Sequence, residues 1–162
     1  MKKIILGWLL LSSIAAAGQA ADQEAILVPV HNMFKGMATG DSALVRRSFY
    51  PDVQLATIAA GKDGLPSMRR ESSISDFLKA IGSPHPDVWN ESIWNIQVQQ
   101  DGAFAQVWAS YAFYRGSQFS HCGVDTFQLI RTTSGWKIIY LADTRQKEGC
   151  TVPADIQKKY AR

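Results

Sequence analysis

Apolar and polar positions divide the chain into a first half with helical spacing and a second half with strand spacing. Over residues 22–39, Ile26, Val30, Met33, Phe34 and Met37 recur three and four apart, which predicts an amphipathic helix. Gly40 ends it, and Asp41 caps a short second helix reaching about Phe49. Tyr50-Pro51-Asp52 reads as a turn. Residues 53–59 are apolar and partly β-branched and read as a strand. The turn chemistry of Gly61-Lys62-Asp63-Gly64 returns the chain through residues 67–70. A third helix follows, capped by Ser72 or Ser73, with Ile74, Phe77, Leu78 and Ile81 on one side and Gly82 as its stop.

From Glu91 onward the period becomes two. Trp94, Ile96 and Val98 fall on one face, and Asn95, Gln97 and Gln99 on the other. Asp101-Gly102 is a hairpin turn. Long strands are expected over residues 103–115, 119–131 and 136–144, joined at Gly116-Ser117 and Thr133-Ser134-Gly135. The tail over residues 146–162 is polar and is expected to run over the surface. Helices followed by an antiparallel meander imply an α+β domain, with helices packed on one face of a curved sheet. Such a layer on a bent sheet encloses a cone, and a cone offers a pocket.

The N-terminus lies outside this pattern. Lys2 and Lys3 precede an uncharged run to Ala17, and Gly18-Gln19-Ala20 follows. A basic, an apolar and a small-residue region in this order read as a secretory signal peptide over residues 1–20, leaving one mature domain over 21–162. The competing reading is a retained anchor; the run sits at the short end of the roughly 17–25 residues a span needs. A short Lys-Lys start points to a bacterial chain destined for the periplasm or secretion. Two of the three net positive charges of the chain sit on Lys2 and Lys3, so the mature domain lacks the concentrated basic face of a nucleic-acid binder. After cleavage no membrane segment is expected. Cys122 and Cys150, an even pair in an oxidising compartment, are expected to form one disulfide rather than two buried thiols.

The order helix, short helix, strand pair, helix, meander resembles the nuclear transport factor 2-like superfamily, also called the SnoaL-like or cystatin-like cone. The run His121-Cys122-Gly123-Val124-Asp125-Thr126-Phe127-Gln128-Leu129-Ile130-Arg131, followed by Gly135-Trp136-Lys137-Ile138, resembles its last hairpin. Leu141-Ala142-Asp143-Thr144-Arg145 is similar to the final strand of an exported bacterial branch named for lumazine binding. The resemblance implies the cone fold. It does not supply a reaction, because the superfamily includes isomerases, dehydratases, cyclases, hydrolases and plain binding modules.

Candidate chemistry centres on the strand over residues 119–131. Phe127 and Leu129 share a face with Asp125, Gly123 and His121, which places Asp125 and His121 toward the concave side. Asp125 and His121 are four apart, about 13 Å between Cα atoms, too far to bond unless the strand bulges at Gly123. A buried Asp125 would have its pKa raised and suit acid–base work, with His121 or Tyr111 assisting. The alternative is a structural ion pair with Arg115, Arg131 or Arg145. Trp94, Trp108, Phe127 and Tyr140 either line a cavity or fill the core. Arg69 and Arg145 are candidates for an anionic group on a ligand. His31 and His85 lack partners at metal-ligand spacing, so no metal is expected. Without a Gly-rich phosphate loop, nucleophile elbow or paired-His motif, nucleotide hydrolysis, serine hydrolase and zinc protease chemistry are not expected. An exported domain has no routine access to ATP or reduced nicotinamide, so no cofactor is expected.

Three functions fit: a binder of a small hydrophobic or aromatic molecule, a cofactor-free isomerase, dehydratase or cyclase using Asp125, or an interaction module. Strand 103–115 is apolar on both faces, which suits a homodimer through the outer face of the sheet. A binder needs a cavity of at least roughly 300 Å³. An enzyme needs Asp125 inside the cone with a polar partner within about 3 Å, or one water away.

Overall fold

The computed structural model describes residues 6–71 and 73–161, with side chains from residue 22 onward. Met1, Lys2 and Lys3 of the expected signal peptide lie outside the described residues, as do the side chains of its apolar run. Helix α1 spans Leu6–Thr39. All five residues of the predicted apolar stripe, Ile26, Val30, Met33, Phe34 and Met37, are buried. Gly40 closes α1 at φ +70°, in the left-handed region that glycine tolerates without strain. Helix α2 is Ser42–Ser48, with the Asp41 side chain accepting from Leu44 N at 2.8 Å. Helix α3 is Ile74–Gly82, capped by Ser73; Ser72 lies outside the described residues.

Six strands form one curved, unclosed sheet: β1 Phe49–Ala60, β2 Pro66–Arg70, β3 Trp89–Asp101, β4 Phe104–Arg115, β5 Gln118–Thr132 and β6 Gly135–Arg145. Their order is β2-β1-β6-β5-β4-β3. The predicted meander β3 to β6 is antiparallel throughout, but β1 runs parallel to β6, so the sheet is mixed. Tyr50-Pro51-Asp52 is not a turn. It lies within β1, at an irregularity between Phe49 and Gln54 where Pro51, having no N–H, cannot complete the ladder. Further register shifts fall between Trp94 and Gln97, at Ser120 and near Ile139. Each gives one strand an extra residue, which bends the strand and coils the sheet around α1.

The shift in β3 corrects the predicted face. Asn95 takes φ +51° and one extra residue enters the strand. Trp94 therefore packs on the convex side, while Ile93 and Val98 join the concave core of α1, Val107, Phe127 and Leu129. The tail is also not a polar surface run. Residues Ala154–Tyr160 form α4, whose Ile156 and Tyr160 bury against Ala112, Tyr114 and Cys122 on the convex face. The Cys122–Cys150 disulfide pins this segment, with 6.1 Å between the two Cα atoms. Among the described residues no helix is long and apolar enough to cross a membrane.

Candidate functional site

The concave face of the sheet, α3 and the loop before β3 enclose a cavity of about 1160 Å³. Met37, Phe77, Trp89 and Phe113 supply apolar wall. His85 stacks on Trp89 with ring centroids 4.6 Å apart, and Phe113 meets Trp89 edge-on at 6.3 Å. Glu91, His121 and Arg145 bring polar groups from β3, β5 and β6, and Arg69, Arg115 and Lys147 add charge elsewhere on the lining.

A cluster of carboxyl groups stands at the polar end. Asp125 and Asp143 are directly opposed on β5 and β6, a position where like charges repel. The two carboxyls escape by having different surroundings. Asp143 accepts from Thr57 Oγ1 at 2.6 Å and from Arg145 Nε at 2.5 Å, and the Tyr111 hydroxyl lies 3.2 Å away. Asp125 is 3% exposed, and its Oδ2 is buried with no N–H or hydroxyl donor. Its partner is the Glu91 carboxyl, to which it is hydrogen-bonded. A hydrogen bond between two carboxyls contains a proton, so this pair is not doubly ionised. Burial, followed by the charge of Glu91, raises Asp125 well above the usual carboxylate range. Burial also pushes Glu91 up to about 7, with Asp143 adding to the rise and Arg145 opposing it. Glu91 lines the cavity and Asp125 does not. A base must reach its substrate, and within this pair Glu91 is the member that can.

His121 lies beside this pair on the lining. Its Nδ1 is 3.0 Å from Ser120 Oγ, and its ring contacts Phe113 and Tyr111 with centroids 5.1 and 5.7 Å apart. Burial, reinforced by Arg145, lowers it to about 4, so the imidazole is neutral at neutral pH. It makes no bond with Asp125. The bulge between them and the end of the strand is at Ser120 rather than Gly123. Gly123 instead marks a close approach: a Cβ there would sit 1.9 Å from the Thr144 carbonyl oxygen. That carbonyl also accepts from the Tyr111 hydroxyl at 2.9 Å. Burial and the nearby carboxylates raise the Tyr111 pKa, so its hydroxyl stays protonated and serves as a fixed donor. Arg145 is held by Asp143, and Arg69 pairs with Glu71 at 3.0 Å.

The expected aromatic lining is placed elsewhere. Phe127 is core, packed edge-on against Phe34. Trp94 sits on the convex side near the disulfide. Trp108 is 45% exposed on that same face, because alternation along β4 sends it away from Val107 and Ala109. Tyr140, opposite Gln128, is outside the cavity lining. Arg115 lines the cavity, and Arg131 makes a long 3.8 Å contact with Asp22. Glu91, Asp143 and Thr57 are the site residues the sequence reading passed over. The available signal was a carboxylate flanked by Trp89 and Ile93 at alternate positions of one face. Among the described residues no three His, Cys, Asp or Glu side chains are placed to hold a metal ion.

The family model described as "Putative lumazine-binding" matches residues 21–141. The chain belongs to this family. Solved structures extend the likeness to the whole cone. A nuclear transport factor 2-like protein with a cystatin-like fold from Novosphingobium aromaticivorans is 14% identical, with a TM-score of 0.65 over 94% of this chain and 97% of that one. A nuclear transport factor 2-like protein of unknown function from Shewanella baltica gives 16% identity, a TM-score of 0.58, and coverage of 80% and 97%. A "putative dehydratase" of the same fold from Streptomyces avermitilis gives 15% identity, 0.62, and 80% and 99%. At these identities the likeness is one of fold. No protein of curated function matches the chain.

Proposed function

We propose that this protein is an exported binder of a small, flat, largely apolar molecule, held in the cone cavity without a cofactor. The observation that carries this reading is the cavity itself: about 1160 Å³, with aromatic wall on one side and hydrogen-bonding groups converging at one end, the usual form of a small-molecule site. Trp89 and Phe113 supply aromatic wall beside a bound ring, and Glu91, His121 and Arg145 fix its polar edge. The family description supplies a first probe, lumazine, a flat bicyclic dione. Arg69, beside its partner Glu71, is the proposed contact for any acidic substituent. Export is proposed from the order of residues 1–20 together with the disulfide. Self-association is proposed to use the part of the convex face left open by α4, where Trp108 and Phe104 are 45% and 44% exposed.

Native mass spectrometry of the periplasmically expressed protein tests the binding reading. The expected spectrum contains a small molecule that leaves on collisional activation, or a 1:1 complex after lumazine is added. Trp89→Ala is expected to weaken lumazine by about tenfold or more, the scale of one lost aromatic contact. A chain that stays free of any small molecule and shows no lumazine adduct would contradict the proposal.

A further inference from the structure

We propose that the Glu91–Asp125 pair is a proton-holding recognition element that reads a lactam or imide edge, an adjacent N–H donor and C=O acceptor, on the molecule in the cavity. The inference rests on the binding reading above and deepens it by naming the ligand chemistry.

The geometry comes first. Glu91 is the carboxyl on the cavity lining, and Asp125 is the buried carboxyl behind it. Oδ2 of Asp125 has no N–H or hydroxyl donor, so its stabilisation depends on a proton held between the two acids. That shared proton sits on Asp125 and is donated to Glu91, the bond that raises the one acid and lowers the other. Once Glu91 takes up a proton of its own, it presents an O–H donor beside a C=O acceptor to the cavity. A lactam or imide presents the complementary pair, and the two close a ring of two parallel hydrogen bonds. A carboxylate cannot do this, because it only accepts. The flanking walls suit a planar partner: Trp89 and Phe113 bound the space in front of Glu91.

The charged and titratable neighbours are consistent with this state. Asp125 and His121 come from β5, Asp143 and Arg145 from β6, and Tyr111 from β4. Asp76 of α3 shares the large cavity's lining, and His31 of α1 lines a smaller cavity that Glu91 also reaches. Asp143 is already engaged by Thr57 and Arg145, and Arg145 still favours the ionised form of Glu91, though less than burial disfavours it. With Glu91 protonating at about 7, the lactam-reading form dominates in mildly acidic solution and is depleted in mildly basic solution. Binding by the protonated form alone makes the apparent Kd rise about tenfold from pH 6 to pH 8.

Isothermal titration with lumazine at pH 6 and pH 8, in buffers of different ionisation enthalpy, tests the proposal. Wild type is expected to lose about tenfold in affinity at pH 8 and to take up protons on binding at neutral pH. Glu91→Gln keeps a donor–acceptor edge that cannot titrate. It is expected to bind at both pH values, with that tenfold component and the proton uptake removed. Ionisation of lumazine itself is common to both proteins and cancels in their ratio. Asp125→Asn, whose amide donates to Glu91 as the protonated acid does, is expected to keep the fall in affinity near neutral pH, and loss of the fall in this variant would contradict the assignment. 1,3-Dimethyllumazine, the same ring without an imide N–H, is expected to bind wild type at pH 6 at least tenfold more weakly. Equal pH dependence in wild type and Glu91→Gln, or equal affinity for the dimethyl ring, would overturn the assignment. Absence of lumazine binding at pH 6 would overturn it too, while a co-purified small molecule would still uphold the broader binding reading.

Discussion

Asp125 and Asp143 face each other across one pair of strands, yet one has three polar partners and the other has none but an acid. Asp125 and His121 could be found from the sequence because polar residues interrupt a face that otherwise reads Phe127, Leu129. Glu91 could not, since a carboxylate at the start of an alternating run looks like any solvated strand end. Only the curvature of the sheet brings it to Asp125. The protonation of Glu91 has a consequence for stability. Its folded pKa, about 7, is raised above the ordinary value of 4.5, so its contribution is present below pH 4.5 and is lost as pH rises to 7. His121, lowered to about 4, acts oppositely: its contribution is lost as pH falls from about 6.5 toward 4. Denaturation of wild type and Glu91→Gln across pH 4–8 separates the two. The variant is expected to gain on wild type up to pH 7, by at most about 1.4 kcal/mol per pH unit, and the difference is expected to level off above it. Gly123→Ala is expected to cost about 2–4 kcal/mol in the same assay, because the new methyl meets the Thr144 backbone.

At the scale of elements, strand spacing and turn residues located β3 to β6 and the hairpin of β1 with β2, and helical spacing located α1 to α3. What spacing could not convey was where a strand takes in an extra residue. The bulge beyond Trp94 puts it and Val98 on opposite faces, and the one at Ser120 falls next to His121. Helix α4 was illegible for a related reason. Ile156 and Tyr160 are two apolar positions in a polar tail, too few to predict a helix, and they bury against Ala112 and Tyr114 beside the disulfide that ties the segment to β5. Cys150→Ser is accordingly expected to cost about 2–4 kcal/mol. It is also expected to expose Tyr160 and Tyr114, whose rings lie 4.5 Å apart. Urea titration gives the loss in stability, and amide exchange over residues 154–160 gives the release of α4. Unchanged protection there would contradict the role assigned to the bridge.

For the molecule as a whole, the cone could be read from the order of its elements, but the identity of its lining could not. Alternation along β4 puts Trp108 on the outside, the extra residue near Ile139 does the same for Tyr140, and the cavity takes its aromatic wall from Trp89, Phe113 and Phe77 instead. The parallel pairing of β1 with β6 brings Thr57 to Asp143. That contact ties the site to both ends of the chain order, and no local pattern announces it. The arrangement amounts to a cone with an aromatic wall and a buried pair of acids at its polar end. The most direct test is a carbon-13 NMR titration of the Glu91 carboxyl in the ligand-free protein, assigned with Glu91→Gln. A midpoint of about 7 is the expected result, and a midpoint near 4.3, that of an ordinary glutamate, would contradict the account.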